Sequence, residues 1–134
     1  IYFLAGAGAK EDILTLTIWD DLAGSSLLPQ PNNKLEKEGK QRKISIIKID
    51  DLISSCKIKI PNLIKIDVQG FELEVLKGAT KTFGNTEVYI LETSLFSFDD
   101  IPGFLRRPLD GALAQCDICF VKKNGFLRRS HKWK

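Results

Sequence analysis

Between Leu63 and Glu92 the chain carries the pattern that most restricts its fold: an apolar run, a turn, an amphipathic stretch and a second apolar run. Leu63-Ile64-Lys65-Ile66-Asp67-Val68 has the nearly continuous apolar character of a central parallel strand covered on both faces. Gln69-Gly70 ends it. Over residues 72–83 the helical period places Leu73, Leu76, Ala79, Thr80 and Phe83 on one stripe and turns Glu74, Lys77 and Lys81 toward water. Glu72 and Glu74 fall in the first turn, where the helix dipole favours anions. Gly84-Asn85 stops the helix, and Glu87-Val88-Tyr89-Ile90-Leu91-Glu92 is a second strand. A strand–helix–strand unit makes its strands parallel through a right-handed crossover, so the sequence predicts an α/β domain built on a parallel sheet.

That geometry selects the candidate chemistry. If the two strands are parallel neighbours, Asp67 and Glu92 emerge at the same edge, the C-terminal one, where open α/β sheets bind ligands. Two carboxylates there can orient a hydroxyl, act as a general base or hold a cation. The plainer roles stay open: Asp67 accepting amides of its own turn, and Glu92 capping a neighbouring loop. A carboxylate that closes an apolar strand is costly without a purpose. Lys65 breaks the same run and reads as one half of a structural ion pair, or as a stem that carries its charge out to water. The single histidine, His131, lies in a basic tail, which excludes a His-centred triad or a multi-histidine metal site.

The rest of the chain is read around this core. Gly6 and Gly8 follow an apolar opening and imitate a dinucleotide loop, but a phosphate loop needs a helix behind it. The sequel, Ile13-Leu14-Thr15-Leu16-Thr17-Ile18-Trp19, alternates as a strand, so the glycines read as a turn between strands. Residues 20–43 form a long polar loop with Pro29, Pro31, Asn32 and Asn33, and only Ser25-Ser26-Leu27-Leu28 offers it apolar anchors. Ile44-Ser45-Ile46-Ile47-Lys48-Ile49 reads as a strand, and Asp50-Asp51 as the cap of a short helix over residues 52–55.

With 134 residues, 43% hydrophobic and 28% charged, there is room for one ordinary globular domain over residues 1–134. No apolar run approaches the roughly 18–20 residues of a membrane helix, and the opening lacks signal-peptide order, so the expectation is a cytoplasmic protein with no membrane partner. The net charge of +3 is concentrated in the basic tail 126–134, with Arg128, Arg129, Lys132 and Lys134. No nucleic-acid motif accompanies it, so it reads as a solvated terminus, and nucleic acid, contacted through the tail and Arg106-Arg107, is the weaker reading. Cys116 and Cys119 stand three apart in a strand over residues 112–121 and therefore point to opposite faces, where they cannot share a zinc ion. With Cys56 they are expected to be free, reduced thiols.

One longer match adds to this. Asn62-Leu63-Ile64-Lys65-Ile66-Asp67-Val68-Gln69-Gly70-Phe71-Glu72-Leu73-Glu74-Val75-Leu76-Lys77-Gly78-Ala79 resembles the signature segment of FkbM-family, S-adenosylmethionine-dependent methyltransferases. Ser25-Ser26-Leu27-Leu28, Ile49-Asp50-Asp51-Leu52, Leu91-Glu92 and Gln115-Cys116-Asp117-Ile118-Cys119-Phe120-Val121 resemble that family's pattern as well. The resemblance implies a Rossmann-like methyltransferase sheet, S-adenosyl-L-methionine as cofactor, and methyl transfer to an oxygen of a small molecule or sugar. It implies catalytic roles for Asp67 and Glu92, with Gln69, Gly70 and Glu72 on the substrate side. The family's cofactor-holding glycine loop on its first strand has no counterpart here, so the cofactor-binding residues stay unknown. A further helix and strand that the family places before Asp100-Ile101-Pro102-Gly103 are also absent. The expectation is a partial domain, its C-terminal portion, lacking the first strands and one late helix. A methyltransferase by descent and an inactive remnant that acts as an interaction module both fit, and a sheet edge left open by absent strands would favour self-association.

Overall fold

A computed structural model describes residues 1–18, 20, 25–27, 31–94, 105–106 and 113–129, with the backbone alone at 94, 105–106 and 113–115. Trp19, Leu28, Pro29, the segment 95–104, Arg107, and His131, Lys132 and Lys134 of the basic tail lie outside the described residues.

The elements follow in the order β1 (Gly6–Ala7), β2 (Asp12–Thr17), α1 (Asn33–Lys37), β3 (Gln41–Ile47), α2 (Ile49–Ser54), β4 (Leu63–Ile66), α3 (Glu72–Lys77), β5 (Val88–Ser94), β6 (Leu105–Arg106) and β7 (Leu113–Val121). They make a mixed α/β domain with two small sheets, ordered β1-β3-β2 and β4-β5-β7-β6. In the first, β1 runs parallel to β3 and β2 antiparallel, with Asp12 opposite Ile46 and Thr17 opposite Gln41. In the second, β4 and β5 are parallel, Leu63 facing Val88 and Ile66 facing Leu91, as the strand–helix–strand pattern predicts. β7 returns antiparallel along β5, with Val88 opposite Val121 and Glu92 opposite Asp117.

The core forms where α3 lies against β4. Ile64, Ile66 and Val75 are buried there, flanked by Ala7, Ile49, Val68, Phe71, Leu76, Tyr89 and Leu91. Each such aliphatic side chain contributes about 1.5–3 kcal/mol by leaving water. Ala7 and Ile49 come from the first half of the chain, so the two sheets share this core. Three polar links tie them further. The Asp50 amide donates to the Gly78 carbonyl at 2.9 Å, the Asp50 carboxylate caps the turn at Thr80–Thr82, and Ser26 reaches Gln69.

Several expectations are corrected. β4 is not covered on both faces among the described residues: Ile64 and Ile66 are buried, whereas Leu63 is 55% exposed and Lys65 faces water. Successive residues alternate faces: Ile64 and Ile66 point to the side where Val75 of α3 packs, and Leu63 and Lys65 to the other. The amphipathic stripe is also displaced. Ala79 is buried and Leu76 packs on the core as read, but Leu73 is 71% exposed and Phe83 50%, while Val75 and Thr82 are buried instead. The α-helix stops at Lys77, because Gly78 is pressed against the Gly8 backbone and the chain tightens into a 3₁₀ turn at Thr80–Thr82.

The stretch read as a loop over residues 20–43 contains α1, whose first amides are capped by the Asn32 side chain, and its last residues already belong to β3. The helix after β3 begins at Ile49 rather than Leu52, so Asp50 lies inside its first turn and is buried. Gly6 opens a two-residue strand instead of standing in a turn. On β7, Cys116 is buried and Cys119 exposed, on opposite faces as the strand geometry requires.

Candidate functional site

The parallel register that sets Ile66 beside Leu91 brings Asp67 and Glu92 together one step further on. Glu92 does not close its strand, since β5 continues to Ser94. The Asp67 carboxylate, 37% exposed, accepts from Lys65 Nζ at 3.1 Å on one oxygen and from Gln69 Nε2 at 3.1 Å on the other. Lys65 is thus the ion-pair partner its place in the strand suggested. A hydrogen bond with Asp67, followed by partial burial and the Asp67 charge, pushes the Glu92 carboxyl up to about 7. Asp117, opposite Glu92 on β7, adds to that rise, and Lys65 opposes it. The Asp67 carboxyl moves the other way: the hydrogen bond with Glu92 lowers it, burial resists, and Lys65 and Gln69 lower it further. The pair therefore exchanges one proton near neutrality, with the Glu92 carboxyl raised and the Asp67 carboxyl lowered.

The turn after Asp67 is built to present this pair. Gln69 and Gly70 both have positive φ, 51° and 97°. The left-handed region suits Gly70 and is sterically costly for Gln69. The Gly70 amide donates to Glu72 Oε1 at 2.9 Å, so these two substrate-side candidates bond to each other within the turn. On the far side, Ser26 Oγ donates to the Gln69 carbonyl at 2.9 Å. A cavity of roughly 230 Å³ opens beside Asp67, lined by Ser25, Leu27, Val68 and Phe71 and by residues of the first sheet such as Leu16 and Ile44.

This arrangement can act on a hydroxyl. An ionised Asp67 accepts its hydrogen bond, and Glu92 gives or takes a proton as the pH crosses neutrality. Among the described residues no cluster of His, Cys, Asp or Glu side chains is arranged to hold a metal ion. Nor do Gly6 and Gly8 form a phosphate cradle. A Cβ at either would lie 2.7 Å from Ile46, and one at Gly8 also 3.3 Å from Phe71, so the space the glycines leave is filled by the protein's own side chains. The segment behind them is β2 rather than a helix.

Sequence reasoning selected Asp67, Glu92, Gln69, Gly70 and Glu72, and the structure gathers the first three into one network. It missed Ser26 and Asp117. Ser26 sits in a short apolar anchor with nothing local to mark its hydroxyl. Asp117 could have been found from the alternation of β7 once that strand's register against β5 was known.

A family model, the Methyltransferase FkbM domain, matches residues 6–117. The hexuronic acid methyltransferase AglP of Haloferax volcanii is 37% identical over 68 residues, which is 51% of this chain and 28% of that protein. The chain thus spans well under two thirds of the length of that relative. No solved structure matches it. Since the match takes in the parallel β4–β5 pair, its carboxylates and most of the chain, the protein belongs to the FkbM methyltransferase domain family.

Proposed function

We propose that this chain contributes the acceptor side of an S-adenosylmethionine-dependent O-methyltransferase acting on a hydroxyl of a small molecule or sugar. The observation that carries the reading is the proton-sharing Asp67–Glu92 pair at the C-terminal edge of two parallel strands. The name of the Haloferax relative, a hexuronic acid methyltransferase, favours a sugar. The β4–α3–β5 crossover is the unit from which a Rossmann-like sheet is assembled, which supports that architecture.

Gly6 and Gly8 are packed from within rather than open as a cofactor cradle, and the cavity beside Asp67, at roughly 230 Å³, falls below the 300–1,000 Å³ usual for ligands of that size. The chain's own contribution is to accept a hydrogen bond from the acceptor hydroxyl at Asp67 and to take up its proton at the carboxylate pair. Methyl transfer depends chiefly on alignment, so a fixed Asp67 matters more than a strong base. Among the described residues no helix is long and apolar enough to cross a membrane.

Calorimetric titration with glucuronic acid, a hexuronic acid, run beside Asp67→Ala, tests the proposal. Saturable heat that weakens in the variant is the expected result. No heat from a folded chain would remove the acceptor-side reading for this chain.

One observation favours a non-catalytic interaction module instead. The outer edge of β4 has no partner strand among the described residues, and Leu63 beside it is 55% exposed. Sedimentation velocity decides between the readings: self-association abolished by Leu63→Lys supports the module, and a monomer at every concentration removes it.

A further inference from the structure

Ser26 is buried, 8% exposed, although the loop around it is polar. Its backbone is held independently of its side chain. The Thr17 amide donates to the Ser26 carbonyl at 2.9 Å and the Ser26 amide to the Thr17 carbonyl at 3.0 Å, an isolated antiparallel bridge onto the end of β2. Thr17 is fixed in turn, its hydroxyl accepting from the buried Gln41 side chain at 2.9 Å. From this anchored position Ser26 Oγ crosses 43 residues of sequence to the Gln69 carbonyl. That carbonyl belongs to the one residue of the turn that pays a steric penalty for its left-handed φ of 51°. Gln69 then sends its side chain to Asp67. The residues on either side of Ser26, Ser25 and Leu27, line the same cavity as Asp67, Val68 and Phe71.

We propose that Ser26 is a positioning residue: by clasping the Gln69 carbonyl to the β2 anchor it holds Gln69 in its strained conformation and so fixes Asp67 toward Glu92 at the mouth of the cavity. The functional weight of this rests on the reading of Asp67 and Glu92 as the acceptor-side carboxylates. The geometric claim is independent of it. A hydroxyl-to-carbonyl hydrogen bond and the strain of one left-handed glutamine are of similar size, so a single contact can decide the conformation of the turn. Without the hydroxyl, Gln69 relaxes, its amide leaves Asp67, and the carboxylate is free to swing away from Glu92.

The experiment is a pH titration of the full chain with ¹³C-labelled Asp and Glu carboxyls, followed by NMR, for wild type, Ser26→Ala and Ser26→Thr, with a thermal melt of each. In Ser26→Ala the Glu92 midpoint should fall by about one pH unit as Asp67 moves away, and Ser26→Thr, which keeps a hydroxyl, should restore it. If Ser26→Ala does not fold, Ser26→Cys carries the test, because it matches serine in shape and donates only weakly. A lowered melting temperature with an unchanged Glu92 midpoint would assign the hydroxyl to fold stability alone and overturn the proposal. An unchanged midpoint at unchanged stability overturns it as well. Failure of the acceptor-side reading registers in the glucuronic acid titration and leaves these midpoints untouched, so the two outcomes stay separate.

Discussion

The carboxyl of Glu92 titrates near 7 because Asp67 shares its proton, and this ties stability to pH with a definite sign. In the unfolded chain a glutamate loses its proton near 4.3. Between that value and about 7 the folded state keeps a proton that the unfolded state has released. The stabilisation from Glu92 is therefore complete below the unfolded value and is lost as pH rises through about 7. Asp67 behaves oppositely: its lowered carboxyl stabilises above the ordinary aspartate value, and that contribution disappears only in acid, outside this window. Glu92→Gln carries no titrating proton, so the melting temperature of wild type minus that of Glu92→Gln should decrease steadily from pH 5 to pH 8. Parallel curves across that range would mean that the pair does not share its proton. The adjacency of these two side chains was legible from the sequence, since parallel neighbouring strands bring their ends to one edge. Their unequal titration was not, because it depends on Lys65 and Gln69 both turning to Asp67 while Asp117 faces Glu92 from another strand.

Asp50 makes the corresponding case for an element. One of its oxygens accepts from the Thr80 amide at 3.0 Å and the Thr80 hydroxyl at 2.7 Å, and the other from the Lys81 amide at 2.9 Å. Burial opposes its charge, but these hydrogen bonds outweigh that and hold the carboxyl below the usual aspartate range. α2 is thereby bonded to the 3₁₀ turn that follows α3. Asp50→Ala would leave two amides without acceptors and should lower stability by about 2–4 kcal/mol in chemical denaturation. Asp51→Ala should change it by less than about 0.5 kcal/mol, because the Asp51 side chain is exposed and pairs with Lys48 at a loose 3.8 Å. Equal losses in the two variants would contradict the capping role. In Asp50→Asn the acid limb should flatten as well: the native contribution is present above the ordinary value of 3.8 and lost as pH falls through the lowered one. From the sequence, Asp50-Asp51 reads as a cap for the helix beside it. Which of the two is buried, and what it binds 30 residues away, is set by packing that no local pattern encodes. The helix after β4 shows the same limit. Of the stripe read through Leu73, Leu76, Ala79, Thr80 and Phe83, only Leu76 and Ala79 turn inward, and Val75 and Thr82 join them, a choice that packing against β4 and its surroundings makes and local periodicity does not.

At the scale of the molecule the question is what makes two small sheets one body. The sheets share a core, and backbone also meets backbone between them: a Cβ at Gly78 would overlap the Gly8 carbonyl oxygen, with the Gly8 carbonyl carbon next at 2.8 Å and the Ala9 Cα at 3.4 Å. Gly78 has an ordinary φ of −91°, so its requirement is space rather than conformation. The seam explains why the strand–helix–strand unit was legible while the pairing of β1 with β3 was not. The first is declared by periodicity within 30 residues, whereas β1 is two residues long and is held by partners about 40 residues away. It also yields a prediction that separates the two kinds of glycine. Gly78→Ala cannot be accommodated by a side-chain rotation, since backbone stands in the way, and should destabilise by about 1–3 kcal/mol or more. Gly84→Ala, at φ of 74° with nothing within 4 Å, carries a conformational penalty of similar size, about 1–2 kcal/mol. Stability alone therefore does not distinguish them, but the spread of amide chemical-shift changes does. Gly78→Ala should perturb α3, β1 and the Ile46 and Phe71 surroundings of Gly8 together, because opening the seam moves both sheets. Gly84→Ala should confine its changes to the turn before β5. If the Gly78 variant leaves the β1 and β3 amides in place, the sheets are joined by their shared core alone and the seam does not couple them.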